Sequence, residues 1–250
     1  MAQGRHHPSR PLRALPPRQR LPPRGLVVTD GASPDVNLDF ERADRIGIHE
    51  AVLAEPKSTA QLVTVLEHAL DAGRPMLLTR MSGEQYRTLP PTLRADLDHD
   101  LVSGTAYFGA VPSPVGPART AVVCAGTSDR PVAAEAERTL HFAGHRVLSV
   151  ADVGVAGLWR ILDRIDELAT LDVVIVVAGM DGALPTVLSG LVPGVIIAVP
   201  TSVGYGVSDQ GRTALHASLA SCGPGLVVVN IDNGYGAATA ALRVLGLHER

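Results

Sequence analysis

Between residues 119 and 250, five short apolar runs recur, each followed by a glycine-bearing polar segment and then by residues at helical spacing. The runs are Ala121–Ala125, Arg146–Val150, Val173–Ala178, Val195–Val199 and Leu226–Ile231. Helices are predicted from Asp129-Arg130-Pro131 to Gly144, then over Val155–Leu168, Ala183–Leu191, Gln210–Ser221 and Gly236–Leu245. The first of these sets Val132, Ala136 and Leu140 on one stripe and has a proline in its first turn, where the missing N–H costs nothing. Strands apolar on both faces that alternate with helices form a parallel sheet with right-handed crossovers. The predicted fold of this half is α/β, a doubly wound three-layer sandwich of the broad flavodoxin type.

The upstream residues read differently. Segment 1–29 holds clustered arginines and prolines and nothing to bury, so a disordered tail is expected. Residues 30–101 are expected to form a smaller α/β domain. In it a charged segment from Asp39 to Glu50 opens a short helix. Ser58 caps a helix bearing Leu62, Val63, Leu66 and Leu70 and stopped by Gly73. Pro75–Thr79 is a strand ending at Arg80, and Leu93–Leu101 reads as one more helix. Residues 102–118, rich in Gly, Pro and Ser without periodicity, are expected to be a linker to the 119–250 domain. Aromatic residues are only 3% of the chain, so both cores must be aliphatic. A net charge of −3 gives no reason to expect nucleic acid as a partner. No apolar run is long enough for a bilayer and no signal peptide is evident, so a cytoplasmic location with no membrane partner is expected.

In an open α/β sheet, ligands bind beyond the carboxyl ends of the strands. The residues found there are Gly126-Thr127-Ser128-Asp129, Asp152-Val153-Gly154, Gly179-Met180-Asp181-Gly182, Thr201-Ser202-Val203-Gly204-Tyr205-Gly206 and Asp232-Asn233-Gly234. Glycine lets backbone N–H groups approach an anion, so a phosphate or carboxylate ligand suits this rim; short turns need Gly, Ser and Asp for geometry as well. No loop carries the dinucleotide fingerprint or the phosphate-cradling lysine loop, so no redox cofactor is indicated. Cys222 stands just past a helix between small residues, open either to a packing role or, with a lowered pKa, to a nucleophilic one. Cys124, inside a strand, reads as core. Asp129, Asp152, Asp181, Asp209 and Asp232 are the carboxylates near the rim. Asp129 and Asp232 also suit helix caps, and Asp181 suits an acid or base. His141, His145 and His216 lack metal-ligand spacing.

Taken together, AGTSD (125–129), DVGVAG (152–157), VVAGMDGALP (176–185), AVPTSVGYG (198–206) and VNIDNGYGA (229–237) closely resemble the LarB family. That family's C-terminal domain is similar to the PurE-type aminoimidazole ribonucleotide carboxylases. Asp39, Arg42, Arg45, Gly47, Glu50, Lys57 and Thr79-Arg80 resemble its first-domain pattern. The resemblance implies carboxylation at C5 of the pyridinium ring of nicotinic acid adenine dinucleotide and hydrolysis of its phosphoanhydride. The products would be pyridinium-3,5-biscarboxylate mononucleotide and AMP, the first step toward the nickel-pincer nucleotide cofactor. It implies catalytic roles for Cys222 as nucleophile and for Asp181, Ser128 and Asp129. Residue 181 is usually glutamate in the family. It further implies substrate contacts from Gly126, Thr127, Asp152, Gly154, Gly179, Met180, Gly182, Thr201, Ser202, Gly204, Tyr205, Gly206, Asp232 and Asn233. Arg42, Arg45, Lys57 and Arg80 are the candidates to hold pyrophosphate or carboxylates. No tightly bound cofactor is expected; carbon dioxide or bicarbonate is the co-substrate, Mg2+ can assist on the phosphates, and a homo-octamer is implied. Two other readings share the fold: an aminoimidazole nucleotide carboxylase or mutase, which needs no thiol, and a nucleotide-binding module without turnover.

Overall fold

Val173–Ala178 has six consecutive buried residues, and the C-terminal half is arranged about it. The computed structural model describes residues 36–247; the predicted tail, 1–29, lies outside the described residues. In chain order the elements are α1 (Arg42–Ile46), β1 (Ala51–Leu53), α2 (Thr59–Asp71), β2 (Met76–Thr79), α3 (Gly83–Thr88), α4 (Pro91–Arg94), β3 (Leu97–Asp100) and β4 (Thr105–Phe108). There follow β5 (Thr120–Cys124), α5 (Arg130–Phe142), β6 (Val147–Val150), α6 (Leu158–Leu162), α7 (Ile165–Leu168) and β7 (Val173–Ala178). Last come α8 (Ala183–Ser189), β8 (Val195–Pro200), α9 (Arg212–Leu219), β9 (Val227–Val228) and α10 (Gly234–Gly246).

The five C-terminal strands are parallel in the order β6-β5-β7-β8-β9. Side chains alternate across a strand, so β7 feeds two cores. Val173, Ile175 and Val177 pack with Ala133, Ala136 and Leu140 of α5 and with Ala237, Ala238 and Ala241 of α10. Val174, Val176 and Ala178 pack with Ile161, Leu168, Leu184 and Leu188 on the other face. This is the predicted doubly wound three-layer sandwich. Alanines on α5 and α10 let these two helices lie close together over the sheet. The predicted helix over 155–168 is broken in two at Asp163 and Arg164. The predicted strand Leu226–Ile231 pairs only at Val227 and Val228, on the β9 edge of the sheet.

The N-terminal region holds a four-stranded mixed sheet of order β1-β2-β4-β3. Ser58 caps α2 as predicted, in a capping box with Gln61. Two expectations fail here. Segment 93–101, predicted helical, is one turn of α4 followed by β3. Segment 102–118, predicted as linker, contains β4, which pairs with both β2 and β3. Four residues between Gly104 and Gly109 are too few to show a period; pairing on both sides makes them a strand. β4 also docks this sheet on α5. Tyr107 Oη donates to Arg138 O at 2.5 Å, Arg138 Nε donates to Thr105 Oγ1 at 2.6 Å, and the guanidinium stacks 3.9 Å above the Tyr107 ring. Among the described residues no helix is long and apolar enough to cross a membrane.

Candidate active site at the ends of the parallel strands

A cleft of about 370 Å³ opens where β5, β6 and β7 end. It is lined by Gly126, Thr127, Ser128 and Asp129 after β5, by Asp152 and Gly154 after β6, and by Gly179, Met180 and Asp181 after β7, all of which the sequence singled out. Val203, from the loop after β8, completes one wall. The lining holds three carboxylates and no lysine or arginine, so an anionic ligand would have to rely on backbone N–H groups and neutral donors.

Buried Asp129 ties the rim together. Its Oδ1 accepts from Thr201 Oγ1 at 2.5 Å and its Oδ2 from the Gly126 amide at 3.0 Å. The Gly179 amide also bonds this carboxylate, so the loops after β5, β7 and β8 meet on one side chain. Burial raises its pKa, opposed by these donors. The side chain does not cap α5. Gly179 has no room for a side chain, because a Cβ would lie 2.6 Å from Thr201 Oγ1 and closer still to the Val203 carbonyl. Asp152 is held by Arg160, which donates to its carbonyl at 2.8 Å and pairs with its carboxylate at 3.0 Å. Asp181 is exposed and makes no hydrogen bond or ion pair with any described residue.

The other predicted residues stand outside this lining. Thr201 is fully buried behind the rim. Gly182 starts α8 in a left-handed conformation and packs against Ala214 of α9. Gly204, Tyr205 and Gly206 belong to the loop after β8, where Tyr205 is 80% exposed. Asp232 Oδ1 accepts from the Ser202 amide at 2.8 Å, and Asn233 caps α10 through Gly236 N at 2.7 Å. Arg80 reaches this second group from the N-terminal sheet, donating to the Asp232 carbonyl at 2.7 Å. Arg42 pairs with Glu50 at 3.3 Å, and Arg45 Nη1 donates to Asp39 at 2.9 Å, which holds the Asp39 carboxyl down at about 2. Lys57 anchors its loop by backbone bonds, its carbonyl accepting from Gln85 Nε2 at 3.0 Å.

Left-handed backbone marks the loops. Among the described residues Arg80, Asp152, Met180, Asp209, Gln210 and Asp232 are the non-glycine positions with positive φ, and each follows a strand or lies in a loop after one. Such geometry costs energy and gathers where loops are shaped for function.

The cysteines divide as the sequence left open. Cys124 is buried in β5, and burial pushes its thiol up to about 12. Cys222 is exposed, in the loop that leads from α9 into the start of β9. Next to it, Ser221 Oγ lies 2.8 Å from Thr186 Oγ1, and Gly223 lies against Ser189 at the far end of α8. That end is roughly 9 Å along the helix from Ala183 at the cleft. Cys222 is therefore not brought together with the carboxylates of its own chain. Its position between α9 and β9 puts it near the opposite edge of the sheet from the cleft.

Sequence reasoning missed Arg160 and Glu135. Arg160 has a signal in hindsight: Gly157 leaves space for its guanidinium. Glu135 is buried on α5, where its carboxylate accepts from the amide of Tyr235 at 3.2 Å and from that of Gly234 at the start of α10. A carboxylate in the middle of an apolar helix face was its only mark.

The AIR carboxylase family model matches residues 119–250, and the LarB/PurE-like N-terminal domain model matches residues 33–107. An uncharacterized protein of Methanocaldococcus jannaschii is 46% identical over 125 residues, a match spanning 49% of this chain and 48% of that one. A crystal structure of a Treponema denticola PurE2 variant aligns at 22% identity with a TM-score of 0.44, covering 51% of this chain and 79% of that one.

Proposed function

Because the chain belongs to the LarB family and carries its PurE-like AIR carboxylase domain, we propose that it acts on a cationic pyridinium nucleotide, nicotinic acid adenine dinucleotide. In this reading it joins carbon dioxide or bicarbonate to C5 of the ring and cleaves the phosphoanhydride with water, releasing pyridinium-3,5-biscarboxylate mononucleotide and AMP. The observation that carries the reading is the charge of the cleft: Asp129, Asp152 and Asp181 line it without a lysine or arginine. Carboxylates attract a ring that bears a fixed positive charge. An aminoimidazole nucleotide has a neutral ring and an anionic phosphate, and gains nothing from them.

A pyridinium carbon is electron-poor and does not attack carbon dioxide. Addition of a thiolate to the ring carbon beside C5 gives a dihydropyridine in which C5 is an enamine carbon. That carbon attacks carbon dioxide, its proton then leaves, and departure of the thiolate restores the aromatic ring. Asp181, unpaired at the cleft, is the group to take the C5 proton. Asp129 and Asp152 act by position, the first by fastening three loops and the second by shaping the rim with Arg160. Arg80 stands ready for an anionic end of the substrate. The thiolate is that of Cys222 from a second copy, because its neighbour Gly223 in the same chain lies against Ser189, at the end of α8 away from the cleft. A homo-octamer provides such copies. Among the described residues no group of three or more His, Cys, Asp or Glu side chains could hold a metal ion, so Mg2+ in this reading sits mainly on the phosphate oxygens of the substrate.

The test is mass spectrometry of protein incubated with nicotinic acid adenine dinucleotide and bicarbonate. Expected are AMP, a product heavier by one carboxyl group and an adduct on Cys222, with adduct and carboxylation both lost in Cys222→Ser. Carboxylation of an aminoimidazole nucleotide by Cys222→Ser would favour the purine-type reading, and saturable binding without products the binding module. Co-expressing Cys222→Ser with Asp181→Asn tests the shared site. Random mixing restores about a quarter of sites if thiol and carboxylate come from different copies. Failure to restore any activity would place both on one chain.

A further inference from the structure

The loop after β8 holds a side chain that neither the sequence motifs nor the cleft lining singled out. Ser208 is 5% exposed, and its Oγ has no hydrogen-bond partner among the described residues. A buried hydroxyl without a partner is costly, and native proteins leave few of them. The hydroxyl rests against Gly204. A Cβ on Gly204 would meet Ser208 Cβ at 2.7 Å, lie closer still to its Oγ, and come within 3.3 Å of Met180 Sδ. Gly204 directly follows Val203, and both Val203 and Met180 line the cleft. The absence of a side chain at residue 204 thus leaves Ser208 Oγ one residue behind the cleft wall, beside Met180.

We propose that Ser208 is a substrate-binding residue whose hydroxyl donates to an anionic oxygen of the pyridinium mononucleotide half of the substrate. This rests on the substrate reading above. The reason is electrostatic. The cleft attracts a cationic ring, yet that ring carries a carboxylate and its ribose a phosphate, and no cationic side chain lines the cleft to receive either. Only neutral donors can hold an anionic oxygen there without losing the attraction for the ring. Ser208 is a buried neutral donor with its proton uncommitted, whereas the buried hydroxyl of Thr201 already donates to Asp129.

The test is Ser208→Ala, read by thermal unfolding of the ligand-free protein and by titration with nicotinic acid mononucleotide, nicotinamide mononucleotide and AMP. Removing an unpartnered buried hydroxyl raises the ligand-free Tm by roughly 2–8 °C. Losing the donor weakens nicotinic acid mononucleotide by about 10-fold or more and leaves AMP unchanged. If the acceptor is the ring carboxylate, nicotinamide mononucleotide is spared; if it is the phosphate, both mononucleotides weaken alike. Thr120→Val is the control, because Thr120 Oγ1 is the other unpartnered buried hydroxyl among the described residues, at the start of β5 and outside the cleft lining. It should raise Tm and leave all three ligands unchanged. A Ser208→Ala protein with a lowered Tm, or with mononucleotide binding within twofold of wild type, overturns the proposal alone. Wild-type protein that binds none of the three overturns the substrate reading and the proposal with it.

Discussion

Gly179→Ala is the sharpest perturbation of the rim. A Cβ there sits 2.6 Å from Thr201 Oγ1 and 2.9 Å from Val203 Cβ, whereas contacts under 3.0 Å are essentially never observed. Thr201 must therefore retreat by about 0.4–0.8 Å to reach ordinary packing distance. It cannot do so alone. Its hydroxyl is bonded at 2.5 Å to Asp129, and the Val203 carbonyl accepts from the Met180 amide at 2.8 Å. Overpacking plus a weakened charge-assisted bond costs about 2–3 kcal/mol. For a domain of this size that is a fall in Tm of roughly 4–12 °C. The loops after β7 and β8 shift together by nearly an ångström, which lowers kcat/KM about 100-fold. Calorimetry and a carboxylation assay read the two effects. Gly154→Ala, whose Cβ meets the Ala125 carbonyl at 3.0 Å, should do less on both counts. A Gly179→Ala protein with wild-type Tm and turnover would refute the idea that Asp129 couples these loops rigidly.

Three further outcomes follow from the same geometry. Burial raises the Glu135 pKa above 4.5, so the native state binds this proton more tightly than the unfolded chain, and its contribution is fully present below pH 4.5 and lost as pH rises through the native value. Glu135→Gln removes that loss, so its Tm relative to wild type should climb as pH rises above 4.5; a difference constant with pH contradicts this. Arg80→Ala should change stability by about 1 kcal/mol or less, because its ion pair with Glu55 is long and exposed, while raising KM about tenfold; an unchanged KM would leave Arg80 a strut between the two sheets. Asp181→Glu restores the longer arm usual in the family and should keep or increase turnover, and a steep loss in the same assay would show that the shorter arm is required.

Much of the site was legible in the sequence because a parallel sheet has a direction. Once five apolar runs and their crossovers are recognised, the segments after them fall on one edge, and ten of the residues named from that rule line the cleft. The N-cap at Ser58 and the core position of Cys124 were readable from local pattern. Strand β4 was not, because four residues carry no period and only two flanking partners make them a strand.

What the sequence determined by itself was the alternation of strands and helices in residues 119–250, the aliphatic cores and the edge where the cleft lies, since each follows from side-chain pattern along the chain. Tertiary structure alone decided how the loop residues divide their labour. Asp129 fastens three loops because Gly126, Gly179 and Thr201 converge on it from distant positions, and Asp181 keeps its carboxylate because nothing converges there. It also fixed the loop of Cys222 away from the carboxylates of its own chain, since Gly223 packs against Ser189 at the far end of α8. Spacing in a sequence carries the first kind of information; only contact between remote segments carries the second.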